Sequence, residues 1–261
     1  MWSRVGALVL RHLYLYRRSP TRMGEIFFWP VMELLLWGFF TVYLRRIQAP
    51  SAVLFLIGAM IFWDVLYRSQ QGITISISEE IWVRNILNLF IAPVRIFELM
   101  LATCLVGIFK AMMTALVLGT LAWILYAFNL LSIGLALVPF LASLLLFGWA
   151  VGMCTMGVIL RYGQASEALI WGVPFLLQPI SAVFYPVDVL PRWLQPIAWM
   201  LPSTHVFEGM RAVLSTGHIE PRSLAFAFGM NILYLVAGAT FFGWMLRQVR
   251  EKGYLSRLGM E

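Results

Sequence analysis

Four ionisable side chains lie inside long apolar runs: Glu33, Asp64, Arg68 and Lys110. A charge in hydrocarbon is costly, so each needs a partner, a wet path or a task. Asp64 and Arg68 are four residues apart, a spacing that puts both on one helix face where they can pair. Such a pair serves equally as a structural clasp or as part of a polar path. Lys110 has no acid four residues to either side. Glu33 is its candidate partner, although that carboxylate can also snorkel toward the headgroups. All four are candidates for lining a translocation path.

Other chemistries find little support. His12, His205 and His218 are scattered, and Cys104 and Cys154 sit in apolar runs, where a free thiol behaves as a small hydrophobe. Neither a disulfide framework nor a metal site follows. H-E-x-x-H, G-x-S-x-G and the phosphate loop G-x-x-x-x-G-K-[ST] do not occur. The chain is therefore expected not to be an enzyme. Ser203-Thr204-His205 reads as a helix-capping turn rather than a nucleophile with its base.

The elements that must hold these residues are written in the composition. Of 261 residues, 61% are hydrophobic and 12% charged, with mean hydropathy +0.85. Soluble domains carry roughly 45–50% apolar and about 25% charged residues, so lipid must cover this surface. The expected fold is all-α and polytopic, one transmembrane domain over 1–261. Six spans are read at about 24–44, 53–77, 98–127, 133–160, 167–184 and 223–246, the fifth broken by Pro174 and Pro179. Residues 2–22 form an interfacial helix: Arg4, Arg11 and Arg18 share one face and Val5, Leu8, Val9 and Tyr16 occupy the other. Arg4, Arg11, Arg17 and Arg18 interrupt every apolar stretch there, so no cleavable signal is expected. Gly148 and Gly152 form a G-x-x-x-G that favours packing within the chain over a contact between chains.

The net charge of +7 anchors helices rather than nucleic acid. With both termini cytoplasmic, 12 Lys/Arg fall inside, 5 outside and 2 within spans, although Arg45 and Arg46 run against that bias. Two connections are more than turns. In 78–97, Arg84, Asn85 and Asn88 make a polar face, Trp82, Ile86 and Leu89 an apolar one, and Pro93 ends the segment. This reads as a short cytoplasmic helix with Glu79 and Glu80 in its first turn, acting as a lever or as a plain connector. In 185–222, Tyr185, Pro186, Leu190, Pro191 and Trp193 lead a run of short helices that re-enter the outer leaflet.

The string Arg84-Asn85-Ile86-Leu87-Asn88-Leu89-Phe90-Ile91-Ala92-Pro93-Val94 resembles the segment after the second span of ABC-2 type transporter permeases. Phe184-Tyr185-Pro186, Leu190-Pro191, Trp193-Leu194 and Leu201-Pro202 resemble that family's region after the fifth span. The resemblance extends over nearly the whole chain. It implies the permease of an ATP-driven exporter in the plasma membrane, the inner membrane of a bacterium. Two such permeases, identical or sister chains, would pair and bind two separate ABC ATPase subunits. ATP and Mg would sit on those subunits, with no cofactor on this chain. The cytoplasmic helix, through Glu79, Glu80, Trp82, Arg84, Asn85 and Asn88, would contact the ATPase. The implied cargo is amphipathic: a lipid, a lipid-linked glycan or a drug-like molecule. An ATP-independent channel or secondary transporter is the alternative, and inverted repeats with matched broken helices would mark it.

Overall fold

The computed structural model describes residues 1–46, 50–85, 95–218 and 220–252. Among these, every regular element is a helix. The first, α1 (Trp2–Arg18), buries Val5, Leu8, His12 and Tyr16 along one stripe. It stops before Pro20, whose fixed φ and missing N–H suit the first position of a new helix, α2 (Pro20–Arg46). Residues 20–22, expected in the interfacial helix, thus belong to α2. Then come α3 (Pro50–Trp82) and α4 (Ile96–Tyr126), a 3-10 stretch at Leu130–Ala136, and α5 (Leu137–Tyr162). The short α6 (Leu169–Ile180) and α7 (Gln195–Trp199) precede α8 (Pro202–Thr216) and α9 (Pro221–Glu251).

Among the described residues, four stretches are long and apolar enough to cross a membrane: Pro20–Tyr43, Ile96–Tyr126, Leu130–Tyr162 and Pro221–Glu251. The other two expected spans differ from these in physical ways. At 33 residues α3 is long, but its second half carries Ser69, Gln70, Gln71, Thr74, Ser76 and Ser78. That is tolerable because α3 is the sheathed axis of the bundle. From Phe55 to Ile81 only Tyr67 and Ile75 are partly exposed. By contrast, α6 has 12 residues, about 18 Å at 1.5 Å per residue, short of the ~30 Å hydrocarbon thickness.

Helices approach closely where glycine leaves room. A Cβ on Gly72 of α3 would stand 2.4 Å from Gly107 Cα of α4. On α5, a Cβ at Gly148 would meet Leu66 O at 2.6 Å and one at Gly152 would meet Gln70 O at 2.9 Å. The G-x-x-x-G is therefore an intrachain seat for α3. Hydrogen bonds complete the core: Ser69 Oγ donates to Leu145 O (2.7 Å) and Asn231 Nδ2 to Ser143 Oγ (2.8 Å).

The core falls into two main clusters, one toward each end of the bundle. Val5, Leu8, Ile77, Ile81, Leu160, Leu246 and Val249 gather at the end where α1 lies. Phe55, Tyr126, Phe128, Phe140, Phe207 and Val213 gather at the other. There α8 is a buried helix, with Pro202, Ser203, Thr204, Val206 and Phe207 enclosed. Leu201 is its N-cap without a side-chain cap, and Ser203 Oγ lies 2.8 Å from Ser181 Oγ. The capping role expected of Ser203-Thr204-His205 is thus replaced by a hydroxyl pair that ties α8 to the end of α6.

Candidate functional site

A polar cavity of about 540 Å³ opens at the α1 end, between the α1–α2 junction, α3, α4 and the start of α6. Arg22, Arg68, Lys110 and Glu79 line it with Gln71, and the rings of Tyr16, Trp29, Trp82 and Trp171 stand around them. A second hollow, about 400 Å³ between α5, α6 and α9, is lined by such side chains as Phe147, Val151, Val173 and Phe241 and offers no charge.

The charges of the first cavity are set by helix geometry. Asp64 and Arg68 pair across one turn, Oδ1 to Nε 3.3 Å, as their spacing predicts. Arg68 also donates from Nη1 to Gln71 Oε1 (3.0 Å). Glu33 takes Trp37 as a donor and has Asp64 and Arg68 as its charged neighbours. It is not the partner of Lys110. The Lys110 ammonium stands 4.3 Å from the centroid of the Tyr16 ring, and its nearest acid in electrostatic effect is Glu79. Of the four residues expected on a translocation path, Arg68 and Lys110 line this cavity and Glu33 and Asp64 do not.

The cytoplasmic segment is built differently from expectation. α3 runs without a break to Trp82, so Glu79 and Glu80 occupy its last turn rather than the first turn of a separate helix. Carboxylates at that end face the negative pole of the helix dipole. Cations from two other helices offset this. Arg22 Nη1 lies 3.4 Å from Glu79 Oε1. Arg11 holds Glu80 through both nitrogens of its fork, Nη2 to Oε2 at 3.0 Å. Both carboxylates are buried and point into the protein. Past them, Val83 and Arg84 turn the chain, Arg84 at φ +56. Trp82 and Arg84 are exposed, Trp82 Nε1 donates to Glu167, and Asn85 Nδ2 donates to Glu80 Oε2 (2.7 Å). Asn88 and the rest of 86–94 lie outside the described residues.

Sequence reasoning missed the part α1 plays. The seven-residue arginine spacing reads as contact with headgroups, but Arg4 and Arg11 turn back onto the protein. Arg4 lies 3.5 Å from Glu98, whose carboxylate also accepts the Arg95 N–H (2.9 Å) at the N-terminus of α4. The signal was available as three acids, Glu79, Glu80 and Glu98, bracketing the connection. Beneath Arg11, His12 is buried, and its pKa falls from 6.5 to about 4 because burial and then the Lys110 cation disfavour the imidazolium.

At the other end, Tyr185 OH donates to Pro179 O (2.9 Å) and Leu190 is buried, while Pro186, Pro191 and Trp193 are exposed. Arg211 gathers the carbonyls of Ala182, Val183 and Tyr185 and pairs with Glu208 at 2.9 Å.

A family model described as ABC-2 type transporter matches residues 4–215. The chain is also similar to the capsule polysaccharide export inner-membrane protein CtrC of Neisseria meningitidis serogroup A, with 26% identity over 226 residues, covering 80% of this chain and 77% of that protein.

Proposed function

This chain belongs to the ABC-2 type transporter family, and from that premise we propose that it is the permease of an ATP-driven exporter of an amphipathic substrate. Membership makes it a multi-pass membrane protein of transport, a permease that works with ABC ATPase subunits. The finer reading is six spans, both termini cytoplasmic, a homodimer of permeases and two ATPase subunits carrying ATP and Mg. α3 is read as the fifth membrane-crossing element, and 167–184, of which α6 is the helical part, as the sixth, its remaining depth made up by non-helical chain. Among amphipathic cargoes, similarity to a capsule polysaccharide export protein favours a glycan-bearing one.

The observation that carries this reading is the ion-pair network at the α1 end. Arg4–Glu98, Arg11–Glu80 and Arg22–Glu79 join α1, α2, α3 and α4 at a single level. A force applied at the end of α3 therefore moves four helices together. Trp82, Arg84, Asn85 and Asn88 form the proposed ATPase contact, whereas Glu79 and Glu80 brace it from inside. Arg84, exposed at the turn, supplies a charge-assisted contact.

The test is co-purification with the ATPase and substrate-stimulated ATP turnover in vesicles, wild type against Arg84→Glu. Reversal of that charge removes coupling while insertion is unchanged. Full coupling at equal expression makes the segment a connector. A chain that transports with no ATPase at all returns the channel or secondary-transporter reading.

A further inference from the structure

We propose that the polar cavity at the α1 end binds the phosphate group of an anionic amphiphile. The cavity presents three cations, Arg22, Arg68 and Lys110, against a single lining carboxylate, Glu79. Two of those cations are already matched, Arg68 by Asp64 at 3.3 Å and Arg22 by Glu79 at 3.4 Å. Lys110 is not: among the described residues no ion pair or hydrogen bond of its ammonium is found, only the face of Tyr16. The residue is 6% exposed. A buried ammonium without a carboxylate is costly, and an anion entering the cavity relieves that cost.

The donors specify the anion further. Two guanidiniums, an ammonium with three rotatable N–H groups, and the hydroxyl-bearing Ser19 and Thr21 all line the space. Donors spread on several sides suit a tetrahedral group with several acceptor oxygens better than a flat carboxylate. The volume lies within the range of small-ligand sites, roughly 300–1,000 Å³. The carrier is read from the rim. Trp29, Trp82 and Trp171 are exposed there, and indole rings favour a boundary that is apolar on one side and wet on the other. Trp29 continues into the exposed Met32, Leu36 and Phe39 of α2, an apolar track for a hydrocarbon chain whose head sits on Lys110.

The inference rests on the exporter reading only in taking the anion as cargo. Binding is measured without ATPase or transport, so the two readings fail separately. The full chain in an uncharged detergent is mixed with short-chain phosphatidylglycerol, phosphatidylcholine or inorganic phosphate, and retained ligand is counted by native mass spectrometry. One phosphatidylglycerol per chain is expected, held about tenfold better than phosphatidylcholine, a difference of about 1.4 kcal/mol, with inorganic phosphate not retained. Lys110→Gln should bring phosphatidylglycerol down to the phosphatidylcholine level, and Lys110→Arg should keep it. Arg22→Gln, at the junction and outside the bundle axis, should weaken retention in the same direction. Equal retention of the two lipids, or undiminished phosphatidylglycerol binding by a folded Lys110→Gln, overturns the proposal. Retention of inorganic phosphate alone also overturns it, because the site would then serve a free anion.

Discussion

Arg11 of α1 and Glu80 of α3 face each other through two parallel hydrogen bonds across 69 positions of sequence. The contact turns an apparently interfacial helix into a strap over the end of the bundle. Glu80 is buried and Arg11 is only partly exposed, so the pair is shielded enough to count and open enough to break.

Replacing Arg11 by Gln takes the charged donor from Glu80 and leaves it the Asn85 amide. Loss of a charged hydrogen-bond partner costs about 1.5–3 kcal/mol. The expected result is faster amide exchange through Trp2–Arg18 with exchange in α5 and α9 unchanged. Unaltered exchange in α1 would show that its apolar stripe holds it alone.

His12 makes the strap sensitive to pH. Its pKa is 6.5 in the free chain and about 4 when α1 is docked, so protons bind preferentially to the undocked state. Docking stability is complete above about 6.5 and falls by roughly 1.4 kcal/mol per pH unit as pH drops toward 4. The loss is on the order of 3 kcal/mol in all. Proteolysis within 1–18 should accelerate below pH 6, and His12→Phe should flatten that profile. An equal acceleration in the variant assigns the effect to other groups.

Gly148 and Gly152 test the bundle axis. Their missing Cβ atoms would meet backbone oxygens of α3 at 2.6 and 2.9 Å, and backbone cannot step aside as a side-chain tip can. Gly148→Val should lower stability by about 1–3 kcal/mol through overpacking. Gly172→Ala, with nothing within 4 Å of the new Cβ, should be silent. A Gly148 variant that dissociated a dimer without shifting the melting of the chain would place the motif between chains instead.

Local pattern carried the parts of this site that lie within one helix. Asp64 and Arg68 pair because i and i+4 share a face, and α1 shows its apolar stripe because 3.6-residue periodicity survives in a short helix. Contacts between helices left no such trace. Lys110 meets Tyr16 rather than Glu33 because α1 folds under the bundle, which no spacing encodes. Glu79 and Glu80 read as the start of a helix because acids favour an N-terminus. They stand at a C-terminus because Arg11 and Arg22 arrive from elsewhere. The fifth span, drawn from hydropathy over 167–184, is helical only from Leu169 to Ile180: Pro174 and Pro179 remove backbone donors, and beyond the helix Ser181 pairs with Ser203 of α8.

The outer segment is expected to lie in the outer leaflet, and its backbone is prepared for that depth. Irregular chain can enter hydrocarbon only if its polar groups are met by protein. The Val187 N–H reaches Glu208 Oε1 at 2.8 Å, Gln195 Nε2 donates to Leu190 O at 2.9 Å, and Arg211 takes the carbonyls of Ala182, Val183 and Tyr185. Trp193, Ile197 and Trp199 are left uncovered by the chain at 72%, 46% and 42% exposure, and lipid is the cover that the re-entrant reading requires for them. Cysteines at 193, 197 and 199 should react slowly with a water-soluble maleimide although nothing in the chain shields them. Cysteines at Asp188 and Arg192, on polar exposed positions, should react fast. Rapid labelling at all five positions would put the segment in water and leave Glu208 and Arg211 as braces of an ordinary external loop.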